Sequence, residues 1–199
     1  MARAKHHKQA THQRILETAA AAIRARGLAG IGIAELMQEA GLTHGGFYAH
    51  FESKDALIAE VLSLASGAAR QAMSETAAAA PPGEALIAVA DAYLTTRHRE
   101  HPERGCVVAA LGSEIAREPG AARQRLSDAI IARLDRLAEL APAGDDAGRR
   151  RQAIGAFAAM VGGLILARGV EDADAADRIL ADVRAFLRAS LETPAGEKP

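Results

Sequence analysis

The side chains best suited to covalent or metal chemistry lie around the single cysteine of this 199-residue chain. Cys106 follows Gly105 where a helix is predicted to begin, and a helix N-terminus favours the reactive thiolate form of a cysteine. His98 and His101 precede it at helical spacing and could join it in a metal site. A lone cysteine is more often a small buried hydrophobic residue. Four roles for Cys106 therefore stay open: a redox or electrophile sensor, a nucleophile, a metal ligand and a core residue.

A catalytic role for Cys106 lacks its necessary partners in the sequence. No motif supplies a base with oxyanion donors, a phosphate-binding glycine loop or a metal-hydrolase site. One cysteine cannot form an internal disulfide or a cysteine-based zinc site, and such usage is typical of a reducing cytosol. We therefore predict a cytoplasmic protein with no catalytic residues, no metal and no cofactor; a small helical enzyme using Cys106 is the alternative.

The elements that position these side chains are helices. Apolar residues recur at helical spacing along nearly the whole chain, which is rich in alanine and contains no asparagine. The sequence predicts an all-α protein with about nine helices, at 10–26, 33–40, 44–50, 53–80, 84–99, 106–117, around 126–137, 149–168 and 174–191. The longest weakly polar run, 153–167, is shorter than the roughly 18–20 residues of a membrane span, so no membrane partner is expected.

The net charge of −1 hides an asymmetry along the chain. Residues 1–34 carry six Lys or Arg against one Glu, whereas the chain after residue 56 carries 17 Lys or Arg against 20 Asp or Glu. A basic end on an otherwise acidic chain indicates a surface for a polyanion. A solvated, disordered arm is the alternative interpretation.

Residues 33–54 contain two short predicted helices joined by a tight turn at Gly41. This is the helix-turn-helix pattern, in which the second helix enters the major groove of DNA. That helix is predicted over 43–50, with Phe47 and Phe51 in the core. Gly45 and Gly46 each cost a helix roughly 1 kcal/mol relative to Ala, which makes sense where a backbone must approach a groove closely.

The run from Gly41 to Asp55, Gly-Leu-Thr-His-Gly-Gly-Phe-Tyr-Ala-His-Phe-Glu-Ser-Lys-Asp, resembles the DNA-binding domain of the TetR/AcrR family of transcriptional regulators. The resemblance extends over 14–62 and implies a three-helix DNA-binding domain, preceded by the basic arm, within 1–56. It further implies a larger helical ligand-binding and dimerisation domain over 57–193. We expect a disordered tail over 194–199.

The resemblance also implies which residues contact DNA. Thr43 would lie near a phosphate, His44 occupies a position where family members often have Lys or Arg, and Lys54 would reach the backbone. The predicted set is Thr43, His44, Gly45, Gly46, Tyr48, His50 and Lys54. The sequence departs from the family pattern at Gly32, usually a Ser or Thr N-cap, and at Met37, usually a small residue.

One such domain reads few bases, so the resemblance implies a two-fold homodimer with recognition helices roughly 34–36 Å apart. We expect the dimer surface on the last two helices, at Gly155, Ala159, Gly162, Gly163, Phe186 and Leu187. An intramolecular helix pair is the alternative. Eight residues are candidates for the lining of an effector pocket, and a core position or a solvated charge is the alternative for each. They are Met73, Tyr93, Arg97, Cys106, Leu111, Glu114, Phe157 and Met160.

The sequence thus predicts a ligand-responsive transcriptional regulator without catalytic activity. It would be a repressor that binds a palindromic double-stranded DNA operator as a dimer and is released by a small-molecule effector. The alternative keeps the same scaffold but makes oxidation or electrophilic modification of Cys106 the trigger.

Overall fold

A computed structural model of the chain describes residues 2–117, 119–142 and 144–191, with side chains from residue 5 onward. This part of the chain contains helices and no strand, so the predicted all-α class is confirmed. The α-helices are α1 (Ala2–Arg26), α2 (Ile33–Glu39), α3 (Lys54–Ala79), α4 (Ala85–Tyr93), α5 (Thr96–Glu100), α6 (Val107–Ile115), α7 (Ala121–Leu140), α8 (Asp146–Arg168) and α9 (Ala173–Leu191). Two 3₁₀ helices complete them: His44–Ala49, which we call the recognition helix, and Pro102–Arg104.

Several helix ends follow from the local sequence, and the turn at Gly41 lies where it was predicted. Gly27 ends α1 with φ +77° and Gly41 makes the turn after α2 with φ +68°, a region of backbone space that favours glycine. Ser53 caps α3, because its hydroxyl oxygen accepts a hydrogen bond from the Ala56 amide at 3.0 Å. Gly32 precedes α2 without any side-chain cap.

Three predicted helices differ in the structure. The prediction of a single helix over 84–99 is wrong, because α4 ends at Tyr93 and a second helix, α5, begins at Thr96. Thr95 caps α5 by accepting a hydrogen bond from the His98 amide at 3.1 Å. The segment predicted as a helix over 43–50 is a 3₁₀ helix over His44–Ala49, where two adjacent glycines weaken the α-helical alternative. The first helix begins at Ala2 rather than near residue 10.

The chain divides into two compact units. The first contains 1–67 together with 102–129, and the second contains 68–101 together with 130–199, so the division falls within α3 and within α7. The domain boundary expected between 56 and 57 remains a prediction, and the tail expected at 194–199 lies outside the described residues.

Each unit has an apolar core. Among the described residues, the buried ones are hydrophobic, with none charged. In the first unit, Ile15, Ile23 and Phe47 are almost fully enclosed; in the second, Leu86 and Leu164 are. No helix in the described ranges is both long and apolar enough to cross a membrane.

Candidate nucleic-acid interface

The recognition helix presents small and polar side chains to solvent. Thr43 precedes it with extended backbone angles, and its carbonyl accepts a hydrogen bond from the Gly46 amide at 3.0 Å. The Thr43 hydroxyl makes no capping hydrogen bond. Thr43, His44 and Gly45 are exposed, and Tyr48 is 64% exposed, which is unusual for an aromatic side chain in a small helix. These four predicted DNA contacts are therefore each accessible from solvent.

The other aromatic residues of this segment hold the helix in place. Phe47 and Phe51 are buried, as predicted, with ring centroids 5.6 Å apart. Met37 is fully buried, and its terminal methyl lies 3.5 Å from where a Cβ would stand on Gly46. The absence of a side chain at Gly46 thus leaves room for the methionine that departs from the family pattern.

Lys54, at the start of α3, spans two backbone carbonyls. Its ammonium donates to Leu28 O at 2.7 Å and to Ile31 O at 2.8 Å, which ties α3 to the connection between α1 and α2. An ammonium carries three N–H donors, so one remains for a phosphate. Contact between Lys54 and DNA stays a prediction, and the structure adds a positioning role.

His50 closes the recognition helix and is partly enclosed by α1. Its ring lies 5.9 Å from that of His12, and its Nδ1 is buried without a hydrogen-bond partner. Burial lowers the pKa of His50, and the nearby His12 and Lys8 lower it further. His50 is therefore predominantly neutral near pH 7 and would meet DNA as a neutral hydrogen-bonding group.

Two acidic side chains join helices α1 to α3, which together with the recognition helix we call the reading helices, to the segment 102–129 of the same unit. Glu114 of α6 accepts from the Leu28 amide at 2.8 Å, and Asp55 of α3 accepts from the Ala121 amide, also at 2.8 Å. Gly27 lets Glu114 approach, since a Cβ there would stand 3.0 Å from its carboxylate. We expected Glu114 in an effector pocket, and the sequence predicted neither of these two anchors.

The remaining effector candidates fall in both units. Leu111 is buried in the first unit, where Cys106 is half-buried at the N-cap of α6. In the second unit, Met73, Phe157 and Met160 are buried, Arg97 is exposed, and Tyr93 packs edge-on against His98. The pKa of His98 is lowered by burial, partly opposed by its hydrogen bond to Tyr93 O at 2.7 Å. The described residues contain no group of three or more side chains able to hold a metal.

The predicted dimer residues differ in exposure. Gly163 packs against Val183 of α9, where an added Cβ would stand 3.0 Å from the valine side chain, so it belongs to the α8–α9 pair within this chain. Leu187 is buried in the same chain. Gly155 is exposed, Ala159 and Gly162 are half-buried, and Phe186 is 63% exposed. Further exposed apolar residues that the sequence did not single out lie on α8 at Ile154, Ile165 and Leu166.

Two segments of the chain match known protein families. Residues 15–61 match the family described as "Bacterial regulatory proteins, tetR family", and residues 82–189 match "Tetracyclin repressor-like, C-terminal domain". A search of curated proteins found no match.

Solved structures resemble the chain over almost its whole length. The reduced form of Escherichia coli NemR is 20% identical with a TM-score of 0.79, covering 94% of this chain and 99% of that one. A TetR transcriptional regulator from Chloroflexus aurantiacus is 25% identical with a TM-score of 0.77, covering 92% and 96%. A TetR-family regulator from Agrobacterium tumefaciens is 22% identical with a TM-score of 0.76, covering 90% and 98%.

Proposed function

The chain belongs to the TetR family of bacterial regulatory proteins and has its DNA-binding fold, and on that premise we propose that it is a ligand-responsive repressor without catalytic activity. It binds a palindromic operator as a homodimer and leaves it when a small-molecule effector binds. The observation that carries the proposal is the difference in exposure among the aromatic residues of the helix-turn-helix. Phe47 and Phe51 are buried, whereas Tyr48 is 64% exposed beside Thr43 and His44.

The proposal is tested by selecting DNA fragments that the purified protein binds and measuring Tyr48→Ala on the selected operator. Loss of the exposed ring should weaken operator binding about tenfold or more, since a good contact contributes about 1–3 kcal/mol. Tyr48→Phe serves as the matched control that keeps the ring and removes only the hydroxyl. A wild-type protein that selects no fragment, or a Tyr48→Ala variant with full affinity, would contradict the proposal.

Dimerisation is supported by the apolar surface of α8 and α9. Among the described residues, four of the eight exposed large hydrophobic side chains lie on these two helices, at Ile154, Ile165, Leu166 and Phe186. Gly155 and Gly162 have nothing within 4 Å of an added Cβ, so a second helix could approach them closely. We assign this surface to the homodimer contact.

The anchors at Glu114 and Asp55 support a route from effector to DNA. Both link the reading helices to α6 and to the start of α7 through backbone amides. A ligand that displaces α6 would pull on the Leu28 amide, and thereby on the connection that also binds Lys54. Screening compounds for release of the selected operator tests this response; release should be weakened in Glu114→Ala.

A second candidate trigger is oxidation or electrophilic modification of Cys106, and the position of this residue favours it. Cys106 is the N-cap of α6, near the partly buried Arg24. Burial lowers the pKa of Arg24, while attraction to Cys106 and Glu103 opposes that shift. The half-buried Cys106 keeps part of its surface accessible to a small reagent. The solved NemR structure is of a reduced form, but at 20% identity the likeness supports only a shared fold and not a shared trigger.

The two triggers separate in one experiment. Cys106→Ser should bind the operator normally yet lose release by hydrogen peroxide or by an alkylating agent. If Cys106→Ser is released as readily as the wild type, the thiol is not the trigger. Release by a non-electrophilic compound in both proteins would favour the ligand-responsive mechanism.

A further inference from the structure

The first turns of α1 continue its core-facing stripe with basic residues. Ile15, Ala19 and Ile23 are buried on the inner face of the helix. Counting back from Ile15 by three or four residues at a time leads to His12, Lys8 and Lys5. Residues 5–10 are all exposed. The inner face of α1 therefore extends past the core, and there it carries positive charge instead of apolar side chains.

This basic stripe lies beside the end of the recognition helix. The His12 ring stacks on Phe51 with centroids 4.5 Å apart, and its Nε2 lies 2.8 Å from a Glu60 carboxylate oxygen. One turn earlier, Lys8 is close enough to His50 for its charge to lower the pKa of that imidazole. Lys8 therefore lies on the side of the unit that presents the end of the recognition helix.

The positive charge of this stripe does not stabilise α1 itself. α1 has no acidic residue in its first turn, and positive side chains near a helix N-terminus oppose the helix dipole. The first acidic residue of the chain is Glu17. Within the described part of the chain, neither Lys5 nor Lys8 forms an ion pair. Such a surface is matched by a polyanion outside the protein.

Resting on the proposed DNA binding by the recognition helix, we propose that Lys5 and Lys8 extend the DNA-binding surface along α1. They contact backbone phosphates next to those reached by the recognition helix. Both lysines act through charge, so they add affinity for every sequence and do not select bases.

The test compares salt dependence in the full-length protein. The double variant Lys5→Gln, Lys8→Gln should weaken binding to the operator and to unrelated DNA by the same factor. The slope of log affinity against log salt should become shallower by about 0.9 for each phosphate that the variant no longer neutralises. Lys5→Arg, Lys8→Arg should retain the slope.

A matched control removes the same charge elsewhere. Arg70 and Arg178 are exposed in the second unit, and Arg70→Gln, Arg178→Gln should leave the slope close to that of the wild type. Thermal melting verifies that each variant is folded. If the lysine variant keeps the wild-type slope, or changes it no more than the control does, the inference is overturned. Absence of DNA binding by the wild type would instead overturn the proposed function.

Discussion

The recognition helix and the α8–α9 pair each leave side chains exposed, but of opposite chemistry. The recognition helix exposes hydroxyl, imidazole, glycine and one phenol, while burying Phe47 and Phe51. The α8–α9 pair exposes much of the apolar surface of Ile165, Leu166 and Phe186. Polar and small groups suit a hydrated, charged groove, whereas exposed apolar side chains suit another apolar surface. The two surfaces are therefore adapted to different partners.

The largest effect is expected from a charge placed on the apolar surface. Phe186→Asp should shift the protein from dimer to monomer in sedimentation velocity and weaken operator binding by about a hundredfold or more, because a carboxylate replaces the exposed aromatic side chain of the proposed dimer surface. Ile131→Asp is the matched control, since Ile131 is 54% exposed on α7. A dimeric Phe186→Asp protein with wild-type affinity would contradict the assignment of this surface.

A smaller effect is expected at the anchor of the reading helices. Glu114→Ala removes the acceptor of the half-buried Leu28 amide, which should lower the free energy of unfolding by about 1–3 kcal/mol. Urea denaturation measures this loss, with Glu171→Ala, at an exposed position, as the control. An unchanged denaturation midpoint would show that the Leu28 amide does not depend on Glu114.

The smallest effect is one that the two compact units share. His50 in the first unit and His98 in the second both have a pKa lowered chiefly by burial. The unfolded chain therefore binds protons first as the pH falls, so stability is complete above the ordinary histidine pKa of about 6.5 and is lost as the pH falls below it. The melting temperature should decrease as the pH is lowered from 7.5 to 5, and His98→Gln should make this dependence of melting temperature on pH less steep. The exposed His44→Gln is the control, and an equal slope in all three proteins would contradict this account.

Features set by neighbouring residues could be predicted from the sequence. The Ser53 cap, the Gly27 end and the turn at Gly41 depend on groups within four residues, and all three are present in the structure. The helix-turn-helix was predictable because its motif is continuous in the chain. The break after Tyr93 was not, because the Thr95 cap competes locally with a strong apolar periodicity.

Anchors between distant segments could not be predicted. Glu114 is 86 residues from Leu28, and Asp55 is 66 residues from Ala121. Both carboxylates accept from backbone amides, which every non-proline residue offers, so no side-chain pattern marks the partner. The exposed residues of α8 were missed because the sequence alone does not separate an outward Ile from an inward one on a helix rich in apolar residues.

The two anchors can form only late in the synthesis of the chain. A nascent chain emerges from the ribosome N-terminus first, so α1 to the start of α3 appear well before Glu114 and Ala121. Until those residues emerge, the Leu28 amide has no carboxylate and Asp55 has no helix to cap. The reading helices therefore reach their final form only after translation has passed the middle of the chain.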